Sequence, residues 1–255
     1  KKYLILLFVS VLITVTSTSL YAHKENLMKE KDMKALVLYV THPITVKNAA
    51  LFIRSIRSFG EEMKEIPIHV MVDESAGLDT RSLALPGVSF HPIEIAPELR
   101  SFPFSRKVHA CATAETLFEK EYDILIYADT EMLAFHSLKP FLPREGKMIR
   151  LQPVMLLNTV GQSPDTPPDR FWQALYDDAG VSSEDVPVIT AFVEEKEARL
   201  YINCEIMAVR PGEGLFRAWK EVFVKRLNDT GYREKIAGDQ LHMIFLHQAA
   251  LSAVI

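Results

Sequence analysis

Residues Tyr122–Phe135, YDILIYADTEMLAF, decide how the chain is read. An apolar run, Ile124 to Ala128, ends at Asp129, and Glu131 follows one residue on. Short apolar runs bounded by polar residues form the buried strands of parallel sheets. Open α/β sheets bind ligands beyond the carboxyl ends of their strands. Two acids with one residue between them then set hard oxygen donors on one side of a divalent cation, and Mg²⁺ or Mn²⁺ held that way can bridge to substrate phosphates. The plainer alternative is a strand followed by a polar turn that happens to hold two acids.

Upstream, Lys107 lies in the first turn of a helix whose face carries Ala110, Cys111, Ala114, Leu117 and Phe118. A cation is unfavourable at that end of a helix dipole, so Lys107 either meets an anion or is a solvated surface lysine. Further back, ALVLYV (Ala35 to Val40) predicts a first strand with Thr41 at its carboxyl end. Val46, Ala49, Phe52, Ile53, Ile56 and Phe59 then predict a helix stopped by Gly60, and IPIHVMV (Ile66 to Val72) a second strand. Strand, helix, strand is the βαβ unit that opens a parallel sheet. A third strand is expected over Val88 to Ile95.

Downstream, Lys147 to Val154 predicts a strand and 158–169 a Pro/Gly/Asp-rich loop of a length often tied to function. The helix after it holds Phe171, Trp172, Leu175 and Tyr176, with Trp172 read as core before it is read as a sugar-stacking platform. Pro187 to Val193 is β-like and Glu194 to Arg199 a charged turn. Tyr201 to Val209, YINCEIMAV, predicts a strand with Asn203 and Glu205 on one face, and buried polar groups there need partners. Leu215, Ala218, Trp219, Val222 and Phe223 mark a helix with Trp219 mid-stripe, and Leu241 onward a buried one.

Lys1 and Lys2 precede an apolar run from Tyr3 to Leu20, closed by Tyr21 and Ala22. That is the pattern of a signal peptide over residues 1–22, and it is also just long enough for an uncleaved signal anchor. Residues 23–33 are charged, a linker or stem, and 34–255 form the globular domain. The chain starts with Lys and stops in the apolar run LSAVI, so its C-terminus is expected to be truncated. Export, or the lumen of a secretory pathway, follows, with possible membrane anchoring through residues 3–22. A net charge of −4 excludes the basic excess of a nucleic-acid protein. Two cysteines, Cys111 and Cys204, make neither a disulfide framework nor a zinc cluster and are expected as buried thiols.

Four segments in order, ALVLYVTH, RKVHACATAETLFEKEYDILIYADTE, YINCEIMAVRP and AGDQ, resemble the glycogenin-like glycosyltransferases of the GT-A fold, over about Ala35 to Leu246. The middle, LQPVMLLNTVG through DRFWQALYDDAGV, resembles an uncharacterised prokaryotic branch of that group, so no acceptor is implied. The resemblance implies an α/β fold with a mixed, mostly parallel sheet flanked by helices. It also implies a metal-dependent transferase that moves a sugar from a nucleotide-diphosphate-sugar donor to a glycan, protein or small-molecule acceptor. A degenerate GT-A domain that binds nucleotide or carbohydrate without catalysis is the alternative. On this likeness Thr41, Lys107 and Asp129 are donor-binding, and Asp129 and Glu131 hold Mn²⁺ or Mg²⁺. Asn203, Asp239 and Gln240 are the catalytic residues, lying near the donor sugar. The chain departs from the pattern at Glu131, where Asp is usual, and at Glu205, where Gly is usual. The family's later metal-binding His segment is not visible. If Asp129 serves only as a metal ligand, Asp129→Asn is expected to leave stability nearly unchanged.

Overall fold

The computed structural model describes residues 32–236 and 238–255. The leader and most of the stem lie outside the described residues. Among the described residues no helix is long and apolar enough to cross a membrane.

The first strand, β1 (Lys34–Val40), is followed by helix α1 (Pro43–Phe59). The apolar period predicts this helix, and His42, Pro43 and Thr45 start it. The His42 ring accepts from the Ile44 N–H at 3.3 Å, and the Thr45 hydroxyl oxygen accepts from the His42 N–H at 3.1 Å, a reciprocal capping box. Strands β2 (Ile68–Val72) and β3 (Val88–Pro92) add in parallel on one side of β1. The chain then returns through helix α2 (Ser105–Phe118) to place β4 (Ile124–Ala128) parallel to β1 on its other side. Later come β5 (Ile149–Pro153), α3 (Arg170–Ala179), a hairpin of β6 (Val188–Thr190) with β7 (Glu197–Arg199), and β8 (Ile202–Val209). The charged turn expected at 194–199 thus ends in a short strand. Strand β8 inserts antiparallel between β4 and β5, giving a six-stranded mixed sheet in the order β3-β2-β1-β4-β8-β5. Helices α4 (Leu215–Asn228), α5 (Thr230–Ile236) and α6 (Gln240–Ala253) close the described chain.

Strand side chains alternate between the two faces of the sheet. Leu36, Leu38, Ile68, Val70, Ile124 and Ile126 pack with Phe52, Ile53 and Ile56 of α1. On the opposite face Val37, Leu125, Tyr127 and Met207 pack with α2, α3, α4 and α6. Trp172 and Trp219 are both core, as their helical stripes predict. Their ring N–H groups donate to the Val160 carbonyl at 2.6 Å and the His247 carbonyl at 2.7 Å. Cys111 and Cys204 are buried free thiols.

Two buried charges tie elements together. Helix α4 begins at Gly214, left-handed at φ 74° and without a side chain to cap the helix. Glu115 of α2 does so instead, accepting from the Phe216 N–H at 3.1 Å and the Arg217 N–H at 2.8 Å. Arg199 of β7 donates to the carbonyls of Ser163 (2.6 Å), Thr166 (2.7 Å), Pro164 (3.1 Å) and Ser183 (3.3 Å), which pins the 158–169 loop.

Candidate functional site

The order β3-β2-β1-β4 means that successive units run outward in one direction from β1 and then in the other. The reversal lies between β1 and β4, and open α/β sheets bind ligands in the crevice at such a point. The β1–β4 ladder runs from Lys34↔Ile124 to Val37↔Tyr127, while β1 stays paired with β2 as far as Val40↔Val72. Thr41 follows β1 and Asp129 follows β4, so the two residues flank the opening.

Beyond β4 the chain lies along α1. Asn48 donates to Glu131 Oε1 at 3.3 Å, and the Ala134 N–H donates to the Ser55 hydroxyl at 2.8 Å. Glu131 is exposed. Asp129 is not a plain turn acid. Its Oδ2 takes the Lys107 ammonium at 2.6 Å and its Oδ1 takes the Tyr127 hydroxyl at 2.5 Å. Tyr127 sits two residues earlier on the same strand face, which is how its hydroxyl reaches forward. The Asp129 N–H donates to the Glu205 carbonyl of β8 at 2.8 Å, and Lys107 also donates to the Cys204 carbonyl at 3.3 Å.

Of the two sequence readings of Lys107, the one in which it meets an anion holds, and the anion is the Asp129 carboxylate. It is not a solvated surface lysine: its side chain is 2 % exposed, against 15 % for Asp129. Burial disfavours the ammonium, but Asp129 and the neighbouring Tyr39 outweigh it and hold the Lys107 pKa above its ordinary value. Burial lifts the Asp129 carboxyl above the usual range while Lys107 opposes the shift. At 2.6 Å the two groups stand as an ion pair. Asp129→Asn would leave a buried ammonium without its counter-charge, so the expectation of unchanged stability is withdrawn.

The segment leading into α2 is strained. Phe104 precedes the helix at φ 58°, the left-handed region that a bulky side chain rarely occupies. Its ring stacks on buried His247 of α6, centroids 4.0 Å apart, with the Lys107 ammonium 5.1 Å from the Phe104 centroid. Burial, then the Lys107 charge, drives His247 well below its ordinary pKa, so it packs as a neutral ring. Next to Lys107, Arg106 pairs with Asp73 at the end of β2, Nε to Oδ2 at 2.6 Å. Two consecutive cations of one helix turn thus meet acids at two strand ends on either side of β1.

Asn203 is half-buried on β8, and its Oδ1 accepts from the Glu205 N–H at 3.0 Å. Strand β8 therefore brings the Cys204 and Glu205 carbonyls to Lys107 and Asp129, while the Asn203 amide oxygen is bonded within its own strand. Asp239 and Gln240 form no hydrogen bond with that group. Asp239 caps α6, its Oδ1 accepting from the N–H groups of Leu241 (2.9 Å) and His242 (3.2 Å), and its Oδ2 pairs with the His242 ring at 2.6 Å. Those bonds, the backbone one to His242 foremost, hold its carboxyl below the usual value. Gln240 is exposed in the first turn of α6. The residues that sequence reading missed are Tyr127, Phe104, His247, Asn48 and the Arg106–Asp73 pair. The acid closing VMVD after β2 carried the same signal as Asp129.

The sequence reading expects a divalent cation, Mn²⁺ or Mg²⁺, at Asp129 and Glu131. Among the described residues no three His, Cys, Asp or Glu side chains form a metal cage. Mg²⁺-type sites use one or two carboxylates, with water and substrate phosphate completing the shell. Exposed Glu131 suits that role, and each Asp129 oxygen keeps a second lone pair beside the hydrogen bond it accepts. Two depressions elsewhere, of about 300 Å³ between α3, α4 and α5 and about 420 Å³ between α2 and α4, contain none of these residues.

No protein-family model matches the chain, and no curated protein matches it.

Proposed function

We propose that the described domain is GT-A-like, binds a nucleotide-diphosphate-sugar in the crevice between the ends of β1 and β4, and transfers the sugar to an acceptor. The observation that carries this reading is the position of Thr41 and Asp129, which close the two strands bordering the sheet's reversal point. In this reading Asp129 and Glu131 would hold Mn²⁺ or Mg²⁺. Such an ion supplies Lewis acidity to the departing diphosphate. Lys107 would act on the donor through Asp129. It fixes Asp129 in its ionised form and orientation, and Tyr127 fixes the other carboxylate oxygen. The resemblance also assigns Asn203 to the neighbourhood of the donor sugar. The setting proposed for this chemistry is a secretory-pathway lumen or a membrane surface, where the apolar segment 3–22 would act as leader or anchor.

The test is calorimetry and donor hydrolysis with Mn²⁺ across the common nucleotide sugars. Binding together with turnover supports the reading, and no binding of any donor sinks it. A binding-only domain is the second reading, favoured by the engagement of both Asp129 oxygens and by the bulk and charge of Glu205. Nucleotide binding that is indifferent to chelator and never accompanied by turnover would select it.

A further inference from the structure

A second cluster of coordinating side chains lies away from the crevice, at the β3 edge of the sheet. His69 of β2 and His91 of β3 are diagonal neighbours on one face, since Met71, two residues after His69, is the register partner of His91. His69 Nδ1 stands 3.0 Å from His91 Nε2, and the other His69 nitrogen, Nε2, stands 3.0 Å from the Tyr122 hydroxyl. Phe118, at the last turn of α2, stacks on the His69 ring with centroids 4.0 Å apart and meets the His91 ring edge-on at 5.0 Å. These contacts hold both rings against rotation. His69 is buried, whereas His91 is half-buried on an edge strand and accessible from solvent.

We propose that His69 and His91 form a two-imidazole chelate for a borderline transition-metal ion, Cu²⁺ or Ni²⁺ in preference to Zn²⁺, with solvent completing the shell. Metal–imidazole bonds run about 2.0–2.1 Å, so two nitrogens 3.0 Å apart subtend about 90–95° at a shared ion. That is the angle between neighbouring ligands in square or octahedral coordination, and it is narrower than a tetrahedral centre prefers. The ion would lie to one side of the line between the nitrogens, with each lone pair turned off that line toward it. With Nδ1 of His69 on the metal, its proton moves to Nε2, where the Tyr122 oxygen is placed to accept it. A ligand histidine anchored through its far nitrogen is the usual outer support of such sites. Burial, then the Glu121 carboxylate beside it, push the Tyr122 hydroxyl up to about 12, so it stays a neutral phenol.

The competing account of the same contact is an N–H···N hydrogen bond between two neutral rings. The full chain is titrated with Ni²⁺ alone and with Cu²⁺ alone, read by melting temperature and by the nitrogen splitting in the Cu²⁺ paramagnetic resonance spectrum. The expected result is one bound ion that H91Q loses, a rise of about 5 °C near saturation and a two-nitrogen signature. H91Q should abolish both. H136Q, at an exposed histidine, should change neither. No rise in wild type, or an equal rise in H91Q, overturns the proposal. If H91Q proves unstable, the Cu²⁺ spectrum of wild type decides alone, and a signature of one nitrogen or none overturns it.

Discussion

Two acids close two strands on either side of β1, and the first turn of α2 pairs a cation with each. Asp73 ends β2 and meets Arg106; Asp129 ends β4 and meets Lys107. Asp73 is shut in: its side chain is 3 % exposed, and Ser75 adds a backbone N–H at 3.1 Å and a hydroxyl at 2.5 Å. Burial alone would raise its carboxyl, but the Arg106 and Ser75 bonds prevail and hold it below the usual value. Asp129 differs in both respects. It borders the opening between β1 and β4, and its carboxyl is shifted up. The same construction is therefore a closed brace at β2 and a less closed one at β4, where the Asp129 side chain is 15 % exposed against 3 % for Asp73.

The largest expected effect falls on the β4 side. Asp129→Asn should lower stability by about 3 kcal/mol in chemical unfolding, because it strands a buried ammonium. It should also weaken donor binding in Mn²⁺ by at least about tenfold, roughly 1.4 kcal/mol. Replacing both partners with apolar residues, Lys107→Met with Asp129→Leu, should recover much of the stability and none of the binding. Equal donor affinity for wild type and Asp129→Asn would dissolve the contrast between the two acids.

A smaller effect is expected at β2. Arg106→Met should cost about 1.5–3 kcal/mol, the range for a hydrogen bond to a charged group, and leave nucleotide affinity unchanged. The pH dependence follows from the lowered Asp73 carboxyl. Its stabilisation is fully present above the ordinary carboxylate pKa of about 3.9 and disappears as pH falls through the depressed native value. Asp73→Asn should therefore flatten the acid limb of the stability profile below about pH 4. An unchanged limb would mean that Arg106 braces nothing.

The smallest change belongs to Glu131→Asp. Exposed and bonded only to Asn48, it should alter stability by less than about 0.5 kcal/mol. It keeps the charge and restores the Asp usual in the family that the chain resembles, so metal-dependent donor affinity should be retained or improved, and calorimetry with and without chelator checks this.

The elements were largely legible because burial imposes period 2 on strands and 3.6 on helices. Trp172 and Trp219 lie where their stripes put them, and the apolar run before Asp129 is β4. What stayed hidden was pairing through space. Lys107 and Asp129 are 22 residues apart, and no local pattern says that a first-turn lysine points back into the sheet. Tyr127 looked like one more apolar strand residue, although its hydroxyl reaches the acid two places on. Asp239 stands before a helix, where an acid commonly caps the first turn. That local use engages both of its oxygens, and the likeness that names Asp239 catalytic gave no sign of it.

Arg199 bears on motion. A stretch as long as 158–169 in a compact domain would ordinarily be suspected of swinging open over a ligand. Here one guanidinium gathers three carbonyls from that stretch and a fourth from Ser183. To swing outward, the stretch would have to abandon several charge-assisted bonds together, each worth about 1.5–3 kcal/mol. The guanidinium makes it a fixed part of the fold, not a flap.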